Sequence, residues 1–200
     1  MLKKLLLVFI ALIALFWLML RWGDLSGVVR ALESILQPVV HKETINLYCG
    51  EYKEDPLLVM SVIKVESNFL RGAKSRRGAL GFMQIMPATA KEISRELRIQ
   101  KFQEPDLENP DINLRFGIYY ISKLRHEFGD DDRTVLAAYN AGKKNVQEWL
   151  KLSGKKALDL EDIQYIETRN FVEDVLWNYR WLKQIQKFRG RIIKKTEIKK

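Results

Sequence analysis

Glu66 stands where a charged residue is out of place. In the segment from Asp55 to Phe69, Val59, Val62, Ile63 and Glu66 recur at i, i+3, i+4 and i+7. That spacing aligns the carboxyl with the apolar stripe of a helix, whereas Lys64 falls on the wet side. Glu66 also falls at the helix C-terminus, where the macrodipole disfavours an anion. Desolvation and the dipole act together, favour the protonated form and raise the pKa. A carboxylic acid held neutral near neutral pH is what protonating a glycosidic oxygen requires. A helix-end glutamate that turns out to water fits the same spacing.

Three more segments carry polar groups in apolar settings. Gly78-Ala-Leu-Gly-Phe-Met-Gln-Ile-Met-Pro87 is a glycine-punctuated turn with one amide, Gln84, and a proline opening the next helix. Gln84 can donate and accept, which suits a sugar or an N-acetyl group. Ala137-Ala-Tyr-Asn-Ala-Gly142 ends a helix with small residues that permit close approach, and offers the phenol of Tyr139 beside the amide of Asn140. Ile166-Glu-Thr-Arg-Asn-Phe171 opens the last helix, where the dipole favours Glu167. Each segment alone reads more often as packing and capping than as a site.

The elements that must hold these groups are helical almost throughout. Apolar periodicity places helices near 43–50, 56–66, 88–98, 110–128, 133–141, 143–152 and 168–188, with loops at 70–81 and 99–109. Strand-like alternation is absent. Asp55-Pro56 reads as an N-cap with proline at the first helical position, Asn109-Pro110 and Asp132 open further helices, and Gly129 and Gly142 close them. Trp149, Trp177 and Trp181 fall at helical positions where core packing is the default and sugar stacking the alternative. Asp130, Asp131 and Asp132 lack calcium-loop spacing, and no metal or cofactor is expected.

Composition narrows the class. The chain has 200 residues, 47% hydrophobic and 30% charged, enough to bury a core and too apolar for a disordered chain. One cysteine, Cys49, excludes a disulfide framework and a multi-Cys zinc site. The net charge of +9 sits wholly at the ends. Residues 1–22 contribute +3 and residues 187–200 contribute +6, while 23–186 balance at 24 basic against 24 acidic. A neutral middle argues against nucleic acid as a partner. The basic tail suits anionic lipid or an anionic wall polymer, or a solvated, frayed terminus.

An uncharged apolar run from Leu5 to Leu20 follows Lys3 and Lys4, and Arg21 closes it. It exceeds a signal-peptide core and, with Leu2 and Trp22, approaches a bilayer span. No convincing cleavage site follows, and the lysines favour a cytoplasmic N-terminus. The expectation is a single-pass signal anchor at 1–22, with a cleaved signal and a secreted domain as the alternative. Val28, Leu32, Ile35 and Val39 then suggest a juxtamembrane helix within a spacer at 23–43.

Read in order, Glu66-Ser67, GFMQIMP (81–87), NLRFGIYY (113–120), AYNAG (138–142) and ETRNFV (167–172) resemble the motif set of the soluble lytic transglycosylase (SLT) catalytic domains, on the goose-lysozyme-like fold. The resemblance covers about residues 45–185. Phe82 replaces the usual Leu, Phe171 the usual Tyr, Lys143-Lys144 a common Pro-Gly, and Gln164-Tyr165 a frequent Pro-Phe pair.

The resemblance implies an all-α, lysozyme-like domain at 44–188, behind the anchor and before a basic tail at 189–200. It implies non-hydrolytic cleavage of the β-1,4 bond between N-acetylmuramic acid and N-acetylglucosamine, leaving 1,6-anhydromuramic ends. Glu66 would be the sole acid/base, outside the two-carboxylate scheme. Tyr139 would hydrogen-bond and orient it, Ser67 would sit beside it, and Gln84, Met86, Asn140 and Glu167 would line the sugar subsites. The implied partners are peptidoglycan glycan strands, the bacterial cell membrane through the N-terminal helix, and envelope-complex proteins, with the enzyme a monomer on the extracytoplasmic side. A hydrolytic muramidase on the same fold and a catalytically idle wall-binding protein are the competing readings.

Overall fold

Local signals decide where the helices begin and end. A computed structural model describes residues 41–197. The anchor, the juxtamembrane helix and the last residues of the basic tail lie outside them. The described residues form α1 (Lys42–Tyr52), α2 (Pro56–Ser67), α3 (Pro87–Glu96), α4 (Pro110–Phe128), α5 (Asp132–Ala141), α6 (Lys143–Ser153) and α7 (Ile166–Glu197). Single 3-10 turns occur at Glu104–Glu108 and Leu160–Asp162, and no strand longer than an isolated bridge occurs among these residues.

Asp55 caps α2 by accepting from the Leu57 amide at 2.8 Å, with Pro56 in the first turn. Asn109 does the same for α4 through the Asp111 amide at 2.9 Å. Gly129 and Gly142 close α4 and α5. The cap of α5 is Asp131 rather than the expected Asp132. Asp131 accepts from the Thr134 amide and hydroxyl at 2.9 and 2.8 Å, whereas Asp132 turns to Arg125 at 3.0 Å. The last helix runs on to Glu197, well past residue 188, because no proline follows and the lone Gly190 does not stop it.

The core is continuous. Val59, Val62 and Ile63 of α2, Leu114, Ile118 and Ile121 of α4, Val135 and Leu136 of α5, and Val172 and Val175 of α7 are all 0% exposed. Each such side chain contributes about 1.5–3 kcal/mol relative to leaving it in water. Helix α2 packs along α7, α4 packs between α1 and α5, and α5 touches α6 and α7. Trp149 is buried in this core as expected, but Trp177 and Trp181 are 60% and 50% exposed. They lie opposite the apolar face of α7, which Val172, Val175 and Tyr179 already fill.

A buried ion pair locks one end of the assembly. Arg125 of α4 reaches Glu54, in the α1–α2 connection, through Nε at 3.1 Å and Nη2 at 3.1 Å. The Glu54 side chain is only 1% exposed. Removing Arg125 would strand the buried Glu54 charge, at a cost of about 3–5 kcal/mol, whereas Arg125 without Glu54 would keep Asp132 at 3.0 Å. The pair fixes the N-terminal approach to α2, and so the register in which α2 delivers Glu66 at its other end.

Candidate active site

Helix α2 ends in two consecutive left-handed residues, Asn68 (φ 49°) and Phe69 (φ 61°). This stop leaves Glu66 in the last turn, half-buried, on the same stripe as Val59, Val62 and Ile63. Among the described residues its carboxyl has no hydrogen-bond or ion-pair partner. Burial pushes the carboxyl up to about 8, and the negative charge of Glu167 adds to the rise. The neighbouring Ser67 hydroxyl donates back to the Ile63 carbonyl at 3.1 Å, so it braces the helix end.

The segment after α2 is shaped mostly by its own backbone. Leu80 and Ile85 exchange hydrogen bonds at 3.0 and 3.1 Å, and the Gly81 amide donates to the Ala73 carbonyl at 2.9 Å. Gln84 sits at φ 46° inside this turn. Its side-chain amide donates to the carbonyls of Ala73 (3.0 Å) and Gly81 (2.8 Å). Both of its N–H bonds are therefore committed to the loop, and what it offers outward is its carbonyl oxygen.

Two residues from other helices grip the centre of this loop. Asn113 of α4 is 1% exposed. Its Oδ1 accepts from the Met83 amide at 2.8 Å, and its Nδ2 donates to the carbonyls of Leu80 (2.8 Å) and Leu107 (3.0 Å). Tyr139 of α5 donates its hydroxyl proton to the Met83 carbonyl at 2.6 Å. Met83 is thus held at both its N–H and its C=O. The close approach needs glycine twice. A Cβ on Gly81, at φ 76°, would lie 2.2 Å from Asn113 Nδ2, and one on Gly117 would lie 2.2 Å from Met83 Sδ.

The hydrogen bond that the resemblance assigns to Tyr139 therefore has a different partner here. With its one proton given to Met83, Tyr139 can meet Glu66 only as an acceptor, and only a protonated Glu66 can donate. The two groups do sense each other, because burial first and the Glu66 charge second hold the Tyr139 phenol well above its ordinary value. The ring lies between Tyr120 (centroids 5.6 Å apart, tilted) and Phe171 (6.4 Å, stacked). Phe171 fills its place by packing, 6% exposed and stacked on Tyr139.

Asn140 accepts from the buried Thr168 hydroxyl at 2.8 Å, which leaves its NH2 free to donate. Glu167 is exposed, paired with Arg77 of the loop at 3.3 Å. Met86 is 40% exposed at the start of α3. The fold therefore brings both Tyr139 and Glu167 within electrostatic reach of Glu66, although 101 positions separate Glu66 from Glu167 in the chain. Sequence reasoning gave no role to Asn113, Gly117, Thr168 or Arg77. Asn113 had a signal like that of Glu66, a polar residue on the apolar stripe of its helix, beside Leu114, Gly117 and Ile121. Thr168 and Arg77 had none.

Comparisons with known proteins identify the family of the chain. The family model of the transglycosylase SLT domain matches residues 43–161. The soluble lytic murein transglycosylase of Escherichia coli is 31% identical over 166 residues, which cover 78% of this chain and 26% of that protein. The membrane-bound lytic murein transglycosylase F of Desulfosudis oleivorans is 28% identical over 156 residues, 72% of this chain and 32% of that one. Among solved structures, the 70 kDa soluble lytic transglycosylase in complex with bulgecin A superposes with a TM-score of 0.71 at 29% identity, over 78% of this chain and 26% of that one. An inactive Glu-to-Gln mutant of the lytic transglycosylase Slt from Pseudomonas aeruginosa gives 0.66 at 34% identity, over 79% and 25%. The chain spans about a quarter of the length of the soluble relatives it matches. By the family match over most of the described helices, the chain belongs to the transglycosylase SLT domain family.

Proposed function

We propose that this protein is a peptidoglycan lytic transglycosylase in which Glu66 is the only acid/base. The observation that carries the reading is a carboxyl held uncharged near neutral pH by burial, without a polar partner, in a chain of this family. In the first step Glu66 gives its proton to the oxygen leaving C1 of N-acetylmuramic acid, and the glycosidic C–O bond breaks. In the second, the C6 hydroxyl oxygen bonds to C1 and its proton returns to Glu66. Protons balance and no water enters. An acid near pH 8 is well matched to this double duty, because it gives and retakes a proton at similar cost near neutral pH.

The other residues position substrate and acid. Gln84 presents an acceptor and Asn140 donors to sugar hydroxyl and N-acetyl groups, with Met86 and Glu167 beside them. Ser67 and Tyr139 keep Glu66 and the loop in place. Hydrolytic cleavage is the second reading, favoured by one observation: Glu167 brings a second carboxylate near Glu66. No helix among the described residues is long and apolar enough to cross a membrane. The apolar run at 5–20 supports a single-pass anchor with the domain outside the cell, and one relative is itself named membrane-bound. Action close to the bilayer would place envelope-complex proteins within reach as restraining partners.

Mass spectrometry of glycans released from purified peptidoglycan by the full chain in mild detergent tests the proposal. Anhydromuramic ends, lighter than hydrolysed ends by one water, are expected, and Glu66→Gln should release none. Reducing ends would establish the hydrolytic reading instead. Undiminished release by the Gln variant would overturn the role of Glu66.

A further inference from the structure

The last helix carries a surface that the site does not use. Trp177, Trp181, Gln184 and Phe188 follow one another at i, i+4, i+7 and i+11, so they form one stripe along α7. The three aromatic side chains are 60%, 50% and 62% exposed, and the two indoles stack on each other at 6.3 Å. Single exposed apolar residues are ordinary, but an aromatic stripe three turns long is not. Arg180, Lys187 and Arg191, all exposed, run along its edge at i, i+7 and i+11. Between Asp174 and Glu197 the chain has seven Lys or Arg and no acid, whereas the first turns of α7 carry Glu167, Glu173 and Asp174.

Its position in the fold leaves this surface clear of the chemistry. Helix α7 runs antiparallel to α2. Glu167 acts on Glu66 at one end, and the Tyr179 hydroxyl donates to Asp55 at 2.5 Å at the other. At 1.5 Å per residue Phe188 lies about 30 Å along the axis from Glu167, and the helix continues about 27 Å beyond Tyr179.

We propose that the outer face of α7 from Trp177 to Arg191 docks on an anionic lipid bilayer. Indole and phenyl rings settle at the headgroup level, and flanking cations meet lipid phosphates. A polyanionic wall glycan would engage the cations, but it offers no apolar phase for a stripe that carries the Phe188 ring as well as the two indoles. The bilayer accounts for both halves of the stripe. The acidic first turns of α7 are repelled by the same surface, so the Glu66 end stays away from it and open to glycan. The inference goes beyond the proposed activity and does not depend on it.

The test uses the full chain carrying Gln184→Cys, labelled with a nitroxide. Cys49 stays unlabelled, because it is buried and its thiol is pushed up to about 12. The chain is placed in nanodiscs of mixed phosphatidylcholine and phosphatidylglycerol, and in discs of phosphatidylcholine alone. Only in the anionic discs should the label become accessible to oxygen and shielded from an aqueous nickel chelate. Each cation removed should lower the docked population about fivefold, so R180E/K187E/R191E should return the label to water. Trp177→Ala with Trp181→Ala should do so without any change of charge. These variants keep glycan release if the fold is intact, since none touches the site. A label equally aqueous in both discs overturns the proposal. So does a label immobilised by soluble anionic wall polymer and indifferent to anionic lipid.

Discussion

The neutral state of Glu66 has a thermodynamic signature that needs no substrate. In the unfolded chain its carboxyl titrates near 4.5, and in the folded protein near 8. Below pH 4.5 both states are protonated and the residue costs nothing. As pH rises from 4.5 to about 8 the unfolded state ionises while the folded state holds its proton. Stability is lost across that window at up to about 1.4 kcal/mol per pH unit and then levels off. Gln keeps the shape and cannot ionise, so Glu66→Gln should be the more stable protein at neutral pH. The bound at pH 7 is about 3 kcal/mol, and relaxation and water penetration at a half-buried site reduce it to roughly 2 kcal/mol. For a domain of this size that is a rise in melting temperature of about 4–8 °C. The assay is thermal unfolding of both proteins in mild detergent, followed by circular dichroism from pH 4 to 8. The gap should be near zero at pH 4 and widen steadily. A gap that does not change with pH, or a Gln variant less stable at pH 7, would refute the reasoning that burial keeps Glu66 uncharged.

Glu167→Gln removes the second cause of that rise, so the pH at which glycan release falls off on the alkaline side should move downward, as a pH–rate profile will show. Asn113→Ala strips a buried site of three hydrogen bonds and leaves the Met83 amide unpaired, and should cost about 3–4 kcal/mol in urea unfolding, with activity lost alongside. Tyr139→Phe leaves the buried Met83 carbonyl without its donor, at about 1–3 kcal/mol, and should lower kcat although Glu66 is untouched. Gly81→Ala should fail more severely than Gly78→Ala, because a Cβ at 81 meets Asn113 whereas at 78 nothing lies within 4 Å. Expression level and melting temperature will rank the two.

Much of the fold was legible because it rests on short-range signals. Caps, first-turn prolines and terminal glycines set the helix ends to within a few residues, except the end of α7 at Glu197, and apolar periodicity set their faces. The exceptions have physical causes. Asp131 and Asp132 are equally good caps on paper, and only the position of Arg125 assigns them different tasks. Trp177 and Trp181 look like core by type, and only the packing of α7 on α2 shows that its other face is the filled one. In the site, Glu66 betrayed itself as an acid on an apolar stripe. The commitments of Gln84 and Tyr139 did not show, because a sequence gives the donors of an amide or a phenol but not which carbonyl takes them. The Arg77–Glu167 pair joins residues 90 apart and carries no local pattern at all.

The grip on Met83 also bears on how the site can be borrowed. Its loop, residues 70–86, supplies the backbone turn, but the side chains that fix it come from positions 113 and 139, and the space it needs comes from a missing Cβ at 117. A synthetic peptide of the loop would lose the shape, and grafting the loop alone onto another scaffold would carry over the letters without the geometry. The smallest transferable unit is the loop together with two helices that never appear beside it in the sequence.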